Sequence, residues 1–388
     1  MEHQYDYLIV GAGMAADAAA KAIRAGDAAA QIGVIGAEAQ PPYERPPLSK
    51  ALWKGDRQLA DIDLGTAGSG AELHQGRRAV SLDRDDRSVG DDHDDIYHYR
   101  RLLLATGSTP RRLPFAGERV INYRTLDDYL ALRRLAVAGA HVAVVGGGFI
   151  GSELAASLAG AGCRVTMLFP GEVIGAGRYP DGLSEFLNEY YRGKGVQLRN
   201  GVKVVDGRPD DSGVDLTLSD GQKLRVDVVV AGLGVTPNVE LAESARLEVD
   251  NGIVVDAQLR TSDSDIWAAG DVANFFSPAL DTRLRVEHEN AAISMGHHAG
   301  RAMTGDDTSY TTLPFFYSDL FDLGYEAVGQ LDARLDIFED WRTPYREGVV
   351  YYLDAGRVRG VLLWNVWGQV DAARELIAQP GPVDMESL

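Results

Sequence analysis

Tyr7-Leu-Ile-Val10 runs without a break into Gly11-Ala-Gly13-Met-Ala-Ala16, and an alanine-rich stretch carries the chain on to Arg24 before Gly26. This order predicts a short strand, a tight turn and a helix. It returns at His141-Val-Ala-Val-Val145, which enters Gly146-Gly-Gly148-Phe-Ile-Gly151, with Ile150, Leu154 and Leu158 then recurring at helical spacing. In such turns the first glycine (Gly11, Gly146) permits the bend and the second (Gly13, Gly148) lets backbone approach a pyrophosphate. The third position (Ala16, Gly151) packs helix on strand. The phosphate then rests on the positive end of the helix. One such turn also serves simply to pack a helix on a sheet. Two, each between strand and helix, predict two dinucleotide-binding units.

The segments around these units read as smaller elements. Leu216-Thr-Leu218 before Ser219-Asp220-Gly221 signals a hairpin, and Val226 to Val230, also sheet, leads into Gly232-Leu-Gly234. Thr125 is placed to cap a helix carrying Leu126, Tyr129 and Leu130. A second helix from Asp181 is expected to bury Leu183, Phe186, Leu187, Tyr190 and Tyr191. The aspartate-dense run from Asp83 to Asp95 reads as a solvated hairpin. From Thr311 onward the aromatics Phe315, Phe316, Tyr317, Trp341, Tyr351, Tyr352, Trp364 and Trp367 gather in a tail too short for another nucleotide fold. They are read mainly as core.

At 388 residues the chain is long enough for two or three domains of roughly 150 residues. With 45% apolar and 24% charged residues it has an ordinary globular composition. A net charge of −19 disfavours nucleic acid and anionic membrane as partners. No apolar run approaches the roughly 18 residues of a membrane span, and the acidic opening MEHQYDYLIV lacks an export signal, so a cytoplasmic protein is expected. With a single cysteine, Cys163, there is neither an intramolecular disulfide nor a dithiol relay. Cys163 reads as a small buried packing residue. The eight histidines show no paired spacing beyond His297-His298, read as a helix cap or surface pair, so no metal site is expected.

Pro42-Tyr-Glu-Arg-Pro-Pro-Leu-Ser-Lys50, Leu104-Ala-Thr-Gly107, Gly146-Gly-Gly-Phe-Ile-Gly-Ser-Glu153 and Ile266-Trp-Ala-Ala-Gly-Asp271 occur in that order. Together they resemble the FAD-dependent, NAD(P)H-using ferredoxin and rubredoxin reductases of the pyridine nucleotide-disulfide oxidoreductase superfamily. Arg285-Val-Glu-His288, Ser318-Asp-Leu320, Gly324-Tyr-Glu-Ala-Val-Gly329 and Leu363-Trp-Asn365 are more similar to the apoptosis-inducing factor branch. The resemblance spans essentially the whole chain. It implies a compact bacterial-type relative without a mitochondrial leader or the long insertion of the animal proteins. The implied α/β fold has two Rossmann-like, glutathione-reductase-type nucleotide-binding domains and a smaller α+β C-terminal domain. Residues 1–112 and 245–308 would form a discontinuous FAD domain, 113–244 the NAD(P)H domain and 309–388 the C-terminal domain.

Carried onto this sequence, the resemblance assigns FAD to Gly11, Gly13, Ala16, Glu38, Arg45, Lys50, Val80, Ala105, Thr106, Gly107, Arg111 and Asp271. It places Glu287, His288 and Tyr317 beside the flavin and nicotinamide. Taken alone, Asp271 reads as a helix cap, a reading the accompanying motifs outweigh, and His288, between Glu287 and Glu289, has a surface ion pair as its less favoured alternative. Gly146, Gly148, Ile150, Gly151, Glu153, Glu172 and Gly234 fall to the nicotinamide dinucleotide. The chain departs from the family pattern in three places. Ala37 stands where the ribose-binding Glu is usual, with Glu38 one place later. Gly171 replaces a Glu, leaving Glu172. Tyr317 replaces a tryptophan. No Arg or Lys lies between Thr166 and Arg178, which favours NADH over NADPH.

Catalysis of this kind rests on stacking and charge, with hydride passing from nicotinamide C4 to flavin N5 in an oriented, dry frame. By the resemblance, Lys50 lies near N5, Glu153 pairs with it, and His288 joins them as a catalytic residue. Branches that need a redox cysteine are excluded by the cysteine count. The leading expectation is an FAD oxidoreductase passing electrons from NADH to a small ferredoxin or rubredoxin-type protein. A redox-responsive interaction protein, whose NADH-reduced charge-transfer state controls association, and a slow oxygen or quinone reductase remain as alternatives. An acidic partner would need a basic face, for which Arg100, Arg101, Arg111, Arg112, Arg283 and Arg285 are the candidates. Oligomerisation through the C-terminal domain is the remaining partner expectation.

Overall fold

The computed structural model describes residues 1–384 and divides into two compact units. The first comprises residues 1–44, 59–109 and 236–314. The second comprises 45–58, 110–235 and, among the described residues, 315–384.

In the first unit β1 (Glu2–Val10), α1 (Met14–Gly26) and β2 (Ile32–Gly36) form the strand-turn-helix of the opening motif. With β3 (Glu72–Gln75), β4 (Ala79–Asp83), β5 (Ser88–Asp91) and β6 (Ile96–Leu104) they build a sheet in the order β3-β2-β1-β6-β5-β4, and the strand Ile266–Ala268 joins β6. The β3, β2, β1, β6 and Ile266–Ala268 strands are parallel, with Val10 in register with both Ile35 and Leu104. Where the central strands are covered on both faces, at residues 7–10 apart from the Tyr7 hydroxyl, at Ile32–Gly36 and at residues 102–104, they are apolar, and Leu8 and Ile9 are fully buried. The helix Glu289–Met303 lies against α1 at very short range. A Cβ at Gly296 would stand 2.2 Å from the Ala15 carbonyl oxygen, so only glycine fits that crossing.

The second unit holds a five-stranded parallel sheet in the order 197–200, 164–169, 141–145, 228–231, 120–122. A three-stranded antiparallel sheet includes the expected hairpin of Val214–Leu218 and Lys223–Val226. The run Val226 to Val230 falls on two strands, Lys223–Val226 and Val228–Ala231. Asp227 divides them, its carboxylate accepting from the His141 backbone N–H at 2.6 Å and its carbonyl from Arg119 at 3.1 Å. The helix Leu126–Leu135 starts in a capping box between Thr125 and Asp128. The C-terminal segment is a five-stranded antiparallel sheet flanked by the helix Val370–Ala378, with Tyr325, Tyr352 and Trp364 wholly buried and Trp367 53% exposed.

Three readings are corrected. Phe186 is only half-buried, under Arg346, because it lies at the edge of its helix's apolar stripe. The Asp83–Asp95 run is a hairpin, but Asp91 and Asp95 are buried, where Arg77 and the backbone amino group of Met1 neutralise them. His297 and His298 sit inside the helix Glu289–Met303, and neither caps it. Cys163 is buried, as expected.

Candidate nucleotide and catalytic sites

In an open α/β sheet, ligands collect where the parallel strands end. In the first unit Val10, Gly36, Leu104 and Ala268 end strands at one edge, so Gly11, Glu38, Ala105 and Asp271 emerge there. Gly11 has φ +110°, and a Cβ on it would stand 2.0 Å from the Ala105 carbonyl oxygen. Around Gly13 a Cβ meets nothing within 4 Å. The first glycine is thus required by the protein's own backbone, while the second borders open space at the N-terminus of α1. That is the shape a pyrophosphate fits.

The second unit repeats this construction. Gly146 has φ +127°, and a Cβ on it would stand 2.3 Å from the Gly232 carbonyl oxygen. A Cβ on Gly148 meets nothing within 4 Å, and one on Gly151 would stand 2.1 Å from the Gly146 carbonyl oxygen. Ile150, exposed by 40%, flanks this turn. Arg111 donates its backbone N–H to the Gly234 carbonyl at 2.9 Å.

Asp271 is 8% exposed in the turn Gly270–Val272 and accepts the Ser108 hydroxyl at 2.7 Å. Asp271 lies inside that turn, whose N-cap position is Ala269. Glu38 accepts the Tyr43 hydroxyl at 2.5 Å. Thr106 donates its hydroxyl to the Asn238 carbonyl at 2.7 Å, and the Asn238 side chain donates back to the Thr106 carbonyl at 2.8 Å. The Gly107 carbonyl accepts the Asn238 N–H. Val80, on β4, is 56% exposed. His288 caps the helix Glu289–Met303, accepting the Asn290 N–H at 3.4 Å, whereas Glu287 pairs with Arg285 at 2.6 Å. Arg101, Arg283 and Arg285 donate to backbone carbonyls, which commits them to structure.

In the second unit Lys50 follows the turn Pro46–Ser49 and Glu153 lies in the first turns of the helix Phe149–Gly160. Lys50 Nζ is 2.7 Å from Glu153 Oε1, and their side chains are 11% and 3% exposed. The Ser318 hydroxyl donates to Oε1 and the Ser49 hydroxyl to Oε2, each at 2.7 Å. Lys50 Nζ also stands 5.2 Å from the centre of the Tyr317 ring. Three donors thus converge on one buried carboxylate and fix the lysine over an aromatic face. Arg45 donates to the Arg124 carbonyl at 3.1 Å. Glu172, exposed beyond the strand Arg164–Phe169, accepts from the Asn200 amide at 3.2 Å. Ser49, Ser318, Ser108 and Asn238 were not singled out by sequence reasoning. Ser49 and Ser318 lie within quoted motifs, the only signal that could have found them.

Two nucleotide cradles and a buried lysine-carboxylate pair define a dinucleotide-dependent oxidoreductase class. The chain belongs to the pyridine nucleotide-disulphide oxidoreductase family, whose model matches residues 5–296. Residues 338–379 match the C-terminal family of the mitochondrion-associated apoptosis-inducing factor. The ferredoxin–NAD(+) reductase component of the anthranilate 1,2-dioxygenase system of Burkholderia cepacia is 36% identical, covering 98% of this chain and 96% of that protein. The mitochondrial apoptosis-inducing factor 1 of Dictyostelium discoideum is 33% identical, covering 96% and 78%. The putidaredoxin reductase of a covalent putidaredoxin reductase–putidaredoxin complex superposes with a TM-score of 0.92 at 31% identity, covering 99% of this chain and 95% of that one. Membership implies FAD and a nicotinamide dinucleotide as cofactors. Among the described residues no helix is long and apolar enough to cross a membrane.

Proposed function

We propose that the protein is a cytoplasmic, FAD-dependent NADH oxidoreductase that passes electrons to a small redox protein of ferredoxin or rubredoxin type. The observation that carries this reading is the pair of turns whose first glycine is locked against backbone and whose second faces open space. Domain limits of 1–112 with 245–308 for FAD, 113–244 for NADH and 309–388 for the C-terminal domain fit the reading. When bound, FAD would supply a site that takes a hydride and gives electrons up singly.

The residues have separable tasks. Gly11, Gly13 and Ala16, on the N-terminus of α1, and Asp271 would hold FAD, with Glu38 on its ribose. Arg45, Val80, Ala105, Thr106, Gly107 and Arg111 would close around it. Gly146, Gly148, Ile150, Gly151, Gly234 and Glu172 would hold NADH. Lys50, fixed by Glu153, presents a positive charge where negative charge grows during reduction. Tyr317, Glu287 and His288 would border the reacting rings. Glu172 and the absence of a base before Arg178 support NADH over NADPH.

Anaerobic reduction by NADH, followed by reoxidation with oxygen, a ferredoxin or a rubredoxin, tests the proposal. Reoxidation fastest with one of the two proteins is expected. Oxygen outpacing both would contradict the partner assignment. A kcat/KM favouring NADPH by tenfold, about 1.4 kcal/mol, would overturn the nucleotide preference.

A further inference from the structure

We propose that His3, Glu72 and His74 form a binding site for one dication of the Zn²⁺ class, separate from both nucleotide turns. The sequence spacing of these residues gives no hint of it, because β2 lies between the strands that carry them. Gly33 on β2 leaves room for a neighbouring side chain to cross: a Cβ there would stand 2.6 Å from the Tyr5 ring. Across that gap the Tyr5 hydroxyl reaches β3, lying 2.7 Å from Glu72 Oε2 and 2.7 Å from His74 Nε2. One donor atom from each of His3, Glu72 and His74 lies within 4.8 Å of the others.

The site carries three marks of a ligand position. His3 Nε2 is buried without a hydrogen-bond partner, a cost that coordination of a cation would remove. Tyr97 holds both imidazoles, stacked on His3 at 4.9 Å and edge-on to His74 at 4.8 Å. A cavity of about 360 Å³, lined in part by His3, Tyr5, Gln31 and Glu72 but not by His74, opens beside His3 and Glu72 and leaves room for water.

Two imidazoles and one carboxylate suit Zn²⁺, Co²⁺, Ni²⁺ or Cu²⁺, whereas Mg²⁺ and Ca²⁺ favour all-oxygen shells. Donor-metal distances of about 2.0–2.2 Å require the three groups to draw together. Glu72, 61% exposed, would give up the Tyr5 hydroxyl to turn onto the cation, and that hydroxyl would remain beside the shell as an outer partner. A bound cation would tie β1 to β3 across β2. His3 is the second residue of β1 and Val10 its last, so the site lies roughly 25 Å along the strand from the Gly11 turn.

The test is calorimetric titration of the flavin-loaded, chelator-stripped full chain with Zn²⁺, with Mg²⁺ and Ca²⁺ as comparisons. One Zn²⁺ per chain is expected, with His3→Gln and His74→Gln each weakening binding by at least about tenfold. His93→Gln, in the exposed Asp92-His93 turn, should leave binding unchanged. Zn²⁺ should raise the melting temperature of the parent and not of His3→Gln. If His74→Gln does not fold, Glu72→Gln, at an exposed position, carries the test with His3→Gln. Unchanged stoichiometry and affinity in the variants, or no saturable uptake at about 0.1 mM Zn²⁺, overturns the site.

Discussion

Lys50 Nζ and Glu153 Oε1 stand 2.7 Å apart, and the hydroxyls of Ser49, the neighbour of Lys50, and of Ser318, from a third segment of the second unit, donate to the same carboxylate. Such a buried pair is costly to break from one side, since the remaining charge stays buried. Glu153→Ala should therefore destabilise the fold by about 3–5 kcal/mol. Lys50→Ala and Glu153→Ala should each slow flavin reduction by NADH by roughly tenfold to a thousandfold, with FAD content nearly unchanged. The double variant should lose less than the sum of the single losses. A pair with only a structural role would lower the melting temperature yet leave stopped-flow reduction within twofold of the parent.

The two glycines of the first turn should separate folding from cofactor binding. Gly11→Ala forces a Cβ to 2.0 Å from a backbone oxygen at a φ of +110°, so the variant should unfold at markedly lower temperature. Gly13→Ala meets no protein atom within 4 Å. It should keep the parent's melting temperature in the flavin-free form and lose flavin on gel filtration. Equal flavin retention by Gly13→Ala and the parent would show that this turn holds no pyrophosphate.

The strand-turn-helix units were legible because each is written in neighbouring residues: an apolar run, a glycine at a fixed offset, then apolar spacing of a helix. The Lys50–Glu153 pairing came from resemblance, and no local period encodes it. Ser318 and Ser49 escaped notice for the same reason, because a serine's partner more than a hundred residues away leaves no trace in its own neighbourhood. Asp91 and Asp95 misled in the opposite sense. A charge-dense stretch reads as solvated unless Arg77 and the Met1 amino group are known to fold over it. His3 and His74 became a pair only once β1, β2 and β3 lay side by side.

Cys163 should be chemically silent. Burial pushes its thiol up, away from the reactive thiolate form, and Sγ lies 3.5 Å from the Ala136 carbonyl oxygen. Cys163→Ser should retain flavin reduction and acceptor turnover within twofold, and thiol alkylation of the folded parent should change neither. Loss of activity on alkylation would point to a cysteine-dependent mechanism.

Acid should loosen the protein through its buried histidines. Burial, aided by Arg164, pulls His141 below the usual imidazole range, and burial does the same to His298. The unfolded chain therefore binds the proton more readily. The stability linked to neutral imidazole is present above about pH 6.5 and lost as pH falls through the lower folded values. Melting temperature should drop across that window, less steeply in His141→Gln. A parent that melts higher in acid would reverse the assignment.

The central claim is that this chain carries FAD in one cradle and accepts NADH in the other, and the anaerobic visible spectrum before and after one equivalent of NADH tests it most directly. A yellow protein whose flavin band is bleached by that single equivalent is the predicted result. A well-folded, colourless protein that gains no visible band from added FAD, or a flavin band that NADH leaves unchanged, would contradict it.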